Sequence, residues 1–227
     1  MSTLIRPQGI HWETRPAGKG ESQGLEYTER PFSEKELKAI GSHVTEEVCR
    51  RYGYMAVESC TVVEGDIKLS LESSENGRIH VLARRGSRNG WLHFPDEKPG
   101  SATTWARAGL DPIQSTYGFE ELAKQAVHTY NGQTVRTPQA VWCDGTHAAL
   151  EAASLGLLPL WKLAGDLMPE KSDIVTALKH TEKLLIPFRP HTRKEWEEEL
   201  AAIAQGDLSG CMAVRLCGDE EGKGGAR

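Results

Sequence analysis

Apolar and polar positions alternate along two short stretches of this chain, and a period of two marks a half-buried strand. Ile67, Leu69 and Leu71 alternate with Lys68, Ser70 and Glu72, and Ile79, Val81 and Ala83 alternate with Arg78, His80 and Arg84. With the apolar-rich segment before them, they predict strands at 54–63, 66–72 and 78–85. A three-residue loop, Glu75-Asn76-Gly77 with Gly77 in the left-handed region, joins the last two as a hairpin. That register sets Leu71 opposite Val81 and Leu69 opposite Ala83. Apart from Leu82, it leaves a second face that is polar and mostly basic.

Upstream the period changes to that of a helix. Leu37, Ile40, Val44, Val48 and Tyr52 recur at three- and four-residue spacing and predict one helix ended by Gly53. Its start is written in Ser33-Glu34-Lys35-Glu36, a capping box in which hydroxyl and carboxylate each satisfy the other residue's amide. Phe32 and Leu37 supply the apolar staple across that start. Residues 1–30 read as an arm that either pairs with a sheet edge or stays loosely ordered.

Residues 94–118 read as a linker or a long surface loop. Beyond it, Phe119, Leu122, Ala126 and Tyr130 mark a helix, and an Ala-rich helix follows Asp144. Pro159 opens a short helix through Leu163. Ser172 caps another, carrying Ile174, Leu178, Thr181 and Leu185 until Pro187 stops it. A second capping box, Thr192-Arg193-Lys194-Glu195, starts a helix through Trp196, Leu200 and Ile203, and a short strand follows at 211–216. The expected fold is therefore α+β: an N-terminal helix with a three-stranded antiparallel sheet, then a mostly helical C-terminal lobe. The divisions fall at 1–100, 101–217 and a flexible, Gly-rich tail at 218–227.

At 227 residues and 26% charged the composition is that of an ordinary globular protein. No apolar run approaches the roughly 20 residues of a membrane span, and the first residues lack a signal-peptide core, so a cytoplasmic protein is expected. Five cysteines form an odd set without C-x-x-C spacing, which suits free thiols better than disulfides or zinc. The net charge of −5 means that any surface for a polyanion is a local patch on an acidic body.

The candidate patch is the end of the hairpin. Arg84, Arg85 and Arg88 share a Gly-containing turn with Trp91, where guanidinium groups can hold phosphate and the indole can stack on an unpaired base. Lys68 extends the patch across the strand face, and Arg50 and Arg51 at the end of the first helix add charge. These residues point to a non-catalytic nucleic-acid-binding protein, one subunit of a larger nucleoprotein assembly whose other members are proteins. No cofactor is called for.

Two alternatives remain. A small hydrolase would use Cys143 as nucleophile, because a thiol just before a helix has its thiolate favoured by the helix dipole. His147, His180 or His191 would have to be its base, yet no oxyanion donor can be named. The other alternative is a protein–protein adaptor. Asp144, His147, His180 and His191 have no metal-ligand spacing, so no metal is expected.

Overall fold

The computed structural model describes residues 7–83, 88–96, 105–108, 116–127, 139–163, 169–181, 183–187 and 214–217. The chain divides into two units, Met1–Pro112 and Ile113–Arg227. The first is built around one long strand.

In chain order the first unit contains β1 (His11–Pro16), β2 (Gly24–Glu29), α1 (Glu34–Ile40), α2 (Glu46–Arg51), β3 (Tyr54–Glu64), β4 (Ile67–Glu72), β5 (Ile79–Ala83), β6 (Gly90–His93) and β7 (Trp105–Ala108). All seven strands form one sheet of order β1-β4-β3-β5-β6-β7, with β2 on the other side of β3. The expected three-stranded sheet is thus too small. The β7 strand also lies inside the stretch read as a linker.

The predicted hairpin does not form. Strands β4 and β5 pair not with each other but with β3, end to end: β4 runs along Ser59–Glu64 and β5 along Tyr54–Val57. Between them the chain makes a separate tight turn closed by a bridge between Ser74 and Gly77. Ser73 stitches the break, its Oγ donating to the Val57 carbonyl at 2.7 Å and accepting from the Ile79 amide at 3.1 Å. Alternation identifies a strand's faces but not its neighbours. Strand β5 has β3 on one side and β6 on the other, and every residue in it is buried.

One face of the sheet carries Leu25, Met55, Val57, Cys60, Val62, Leu69, Leu71, Ile79, Val81, Leu92 and Phe94 in a single core, with Trp12 and Tyr27 packed on it. Full burial of each large aliphatic side chain there stabilises the fold by about 1.5–3 kcal/mol. The opposite face carries Tyr54, His80, Leu82 and Trp91, and against Tyr54 and His80 pack two helices instead of the single predicted one. The Ser33 capping box forms as expected at α1. Thr45 then caps α2 by accepting from the Val48 amide, so the apolar run is split where Gly41 leaves helical geometry.

The second unit overturns the expected helical lobe. It contains α3 (Phe119–Val127), β8 (Ala140–Cys143), α4 (Gly145–Ser154), β9 (Leu158–Trp161), α5 (Lys171–Leu178), β10 (Leu184–Pro187) and β11 (Val214–Cys217). The four strands are parallel, in the order β11-β10-β8-β9. Residues 158–161 and 184–187, read as helix, are strands, because parallel strands are covered on both faces and lose the alternation that would reveal them. Helix α5 ends at Leu178, nine residues before Pro187. The helix expected after Thr192 lies outside the described residues. Leu122, Trp142, Leu158, Leu160, Ile174, Leu178, Leu184 and Ile186 make this unit's core. Among the described residues no helix is long and apolar enough to cross a membrane.

One backbone position tests how closely α2 and the sheet are joined. Gly53 has φ +73°, and a Cβ there would lie 2.1 Å from the Ala83 carbonyl oxygen. Gly53→Ala is expected to destabilise the unit by more than about 1 kcal/mol, combining left-handed strain with a backbone clash. A lowered urea midpoint would show it; an unchanged midpoint would contradict the junction described.

Candidate nucleic-acid interface

The face of the sheet beneath α1 holds a chain of polar side chains that the alternating pattern places together. Glu36 is 2% exposed, in the first turn of α1. Its carboxylate accepts from both terminal nitrogens of Arg30 at 2.9 and 2.6 Å, and from the Ser33 amide and hydroxyl at 2.8 and 2.7 Å. It also meets His80 Nε2 at 2.8 Å. His80 Nδ1 lies 2.8 Å from the Tyr54 hydroxyl, which lies 2.5 Å from His93 Nδ1.

The order of protons follows from the chemistry of the ends. Burial pushes the Glu36 carboxyl up, but the hydrogen bonds from His80, Arg30 and Ser33 outweigh it and hold the group well below the carboxylate range. Glu36 is therefore an acceptor, and His80 Nε2 donates to it. Burial is also the largest influence on His80 and lowers its pKa, against the opposing pull of Glu36, so the ring is neutral. Its Nδ1 then accepts from the Tyr54 hydroxyl, whose oxygen accepts from His93 Nδ1. Burial keeps the Tyr54 phenol protonated by pushing its pKa far up. The chain is committed to holding α1 on the sheet.

Five of the seven residues expected at the interface lie among the described residues. Arg50 and Arg51 lie at the end of α2 in i,i+4 pairs with Glu46 (2.9 Å) and Glu47 (3.2 Å), and Arg50 also approaches Glu29 at 3.8 Å. Lys68 on β4 pairs with Glu21 at 2.9 Å, and Arg88 with Glu26 at 3.3 Å. Trp91 is 2% exposed in β6, opposite Leu82, so its ring packs inside the protein. Arg84 and Arg85 lie outside the described residues. The sheet register brings Lys68 and Arg88 to one face: Lys68 pairs with Val63, Val63 with Gly24, and Gly24 packs on Arg88. Arg78 and His80, expected on the same open face, are occupied otherwise, Arg78 by both carboxylate oxygens of Asp96.

In the second unit, strand order reverses between β8 and β10, the place where open parallel sheets receive ligands beyond their carboxyl ends. On the β8 side stand Cys143, Asp144, Thr146 and, from β9, Trp161. The Trp161 indole donates to Thr146 Oγ1 at 3.1 Å and stacks on Tyr117 at 5.5 Å. The Cys143 thiol is buried, and burial pushes its pKa up to about 12, so it carries no thiolate at neutral pH. Lys162, 3% exposed just beyond β9, donates to Glu170 at 2.8 Å and lies 3.3 Å from Asp173. Burial works against its charge, but those two carboxylates raise its pKa on balance. Among the described residues no three His, Cys, Asp or Glu side chains converge as a metal site.

Solved structures share this fold. A DnaG primase catalytic domain bound to single-stranded DNA matches with a TM-score of 0.51 and 8% identity, over 82% of this chain and 66% of that one. The primase catalytic core of E. coli matches with a TM-score of 0.50 and 11% identity, over 82% and 65%. The chain thus spans just under two thirds of those domains. No family model and no curated protein sequence matches it.

The buried chain makes stability pH-dependent, with a sign that can be worked out. His80 has a folded pKa below the unfolded value of about 6.5, so between the two the unfolded chain binds more protons. Its contribution is complete above about pH 6.5 and declines as the pH falls through the folded pKa. The depressed Glu36 pKa adds a further loss below about pH 4.3. The urea midpoint is expected to drop between pH 7.5 and 5.5, and His80→Gln to flatten that drop. An equal pH dependence in the variant would rule out His80 as its source.

Proposed function

We propose that this chain is a nucleic-acid-binding domain on the primase catalytic-domain fold, gripping a single strand through its phosphates within a larger nucleoprotein assembly. The supporting observation is the fold shared with a primase catalytic domain whose structure contains single-stranded DNA. The grip consists of Lys68 and Arg88 on the sheet face, Arg50 and Arg51 at the end of α2, and Arg84 and Arg85, which precede Arg88 in the sequence. Trp91 supports the sheet from within instead of stacking on bases. The proposal assigns binding, and no catalytic step, to this chain.

Acidic net charge makes a share in a multi-protein assembly attractive, since other subunits then supply most of the positive field. The buried free thiols Cys49, Cys60 and Cys143 suit a reducing cytoplasm. The competing hydrolase reading is weakened by the protonated, buried state of Cys143. A pure adaptor predicts no salt-dependent affinity for an oligonucleotide, which separates it from this reading.

Fluorescence anisotropy of a labelled oligo-dT, titrated with the protein across a salt series, tests the reading. Affinity is expected to fall steeply with salt, and replacing Arg84, Arg85 and Arg88 by Ala should reduce the log–log slope by about 2. Salt-independent binding, or none at low salt, would overturn it.

A further inference from the structure

The uncovered half of the sheet is a layer of rows that the register defines. Opposite the main core, β1, β4, β3 and β2 place His11, Glu72, Ser59 and Thr28 in one row. Glu13, Ser70, Thr61 and Glu26 make the second row, and Arg15, Lys68, Val63 and Gly24 the third. Except for Val63, these residues are exposed or half-buried. The helices α1 and α2 cover Tyr54 and His80, at the other end of β3.

The third row has cations at both extremities: Arg15 and Lys68 at one, and Arg88 beside Gly24 at the other, with Val63 between them. Arg15 and Lys68 are cross-strand neighbours on β1 and β4. At the far end Gly24, with φ +121°, lets the chain at Arg88 approach closely: a Cβ on Gly24 would meet Arg88 Cβ at 2.7 Å. The Leu25 amide donates to the Arg88 carbonyl at 2.6 Å and fixes that approach. At about 4.8 Å per strand, the row from Arg15 to Gly24 spans roughly 14 Å before Arg88 is reached.

We propose that this row, Arg15–Lys68–Arg88, is the track for the phosphates of a single nucleic-acid strand, and that Glu21 and Glu26 occupy its cations in the free protein. The inference rests on the nucleic-acid-binding reading and locates its site. Glu21 accepts from Lys68 and also feels the charge of Arg15, while Glu26 holds Arg88 at 3.3 Å. The Arg88–Glu26 pair is exposed and the Lys68–Glu21 pair half-buried, and pairs that water reaches are weak and exchange for a phosphate. The neighbouring row carries Glu13 and Glu26, so positive charge is confined to a strip one residue wide. A single backbone fits that strip, whereas the second backbone of a duplex would meet the carboxylates. Ser70 and Thr61 beside the strip offer hydroxyl donors to the same phosphates.

The test compares two double variants with wild type in oligo-dT anisotropy over a salt series. The Glu21→Gln, Glu26→Gln protein is expected to bind about fivefold more tightly, a gain that misfolding cannot mimic. Arg15→Ala with Lys68→Ala should weaken binding about tenfold and lower the slope by about 1.4, with the urea midpoint confirming that it folds. If wild type binds with steep salt dependence but neither variant changes it, the track is overturned and the general reading survives. If wild type does not bind, both fall. Equal affinity for poly-glutamate or duplex DNA would also overturn the track.

Discussion

The Glu36 carboxylate is the constraint on which the first unit depends. An ionised group almost wholly removed from water must be fully hydrogen-bonded, and Arg30, Ser33 and His80 together achieve that. The cost is specificity of position. Helix α1 can sit only where its first turn meets His80 on β5, and His80 in turn must meet Tyr54 on β3, which meets His93 on β6. Three strands and a helix are thereby registered by one directional chain of protons. Removing the Glu36 side chain would leave Arg30 and His80 without their acceptor, at a cost on the order of 3 kcal/mol.

That arrangement decides which part of the sheet can face a partner. The half of β3 near Tyr54 is sealed by α1 and α2, and its histidines and tryptophan are consumed internally. Among the described residues the half near Glu64 has no such cover, and apart from Val63 and Gly24 its outward residues are hydroxyls and charged or polar side chains. The proposed binding chemistry falls on the polar half because the other half anchors the helices. In the second unit, Lys162 with Glu170 and Asp173, and Trp161 with Thr146 and Tyr117, tie the ends of the parallel strands to the helices around them.

Local signals were legible in the residues: the Ser33 capping box, the alternation of β4 and β5, and the helix after Asp144 all form. What stayed hidden was non-local. Nothing in Leu69 or Val81 says that both strands lie end to end along β3, since alternation is identical for either partner. His80 reads as a surface residue until Glu36, forty-four positions earlier, is placed beside it. Four-residue strands such as Leu158–Trp161 carry too few positions to show a period, and double-sided burial removes the polar half of the pattern. Arg15 escaped notice because its significance depends on a cross-strand neighbour, Lys68, more than fifty residues away.

Hydrogen exchange of the full chain, followed by mass spectrometry with and without saturating oligo-dT, examines the central claim at its location. New protection is expected in peptides covering 11–16, 24–29 and 67–72, with peptides under α1 unchanged. Protection confined to other segments, or spread evenly over the chain, would contradict a phosphate track on the open sheet face.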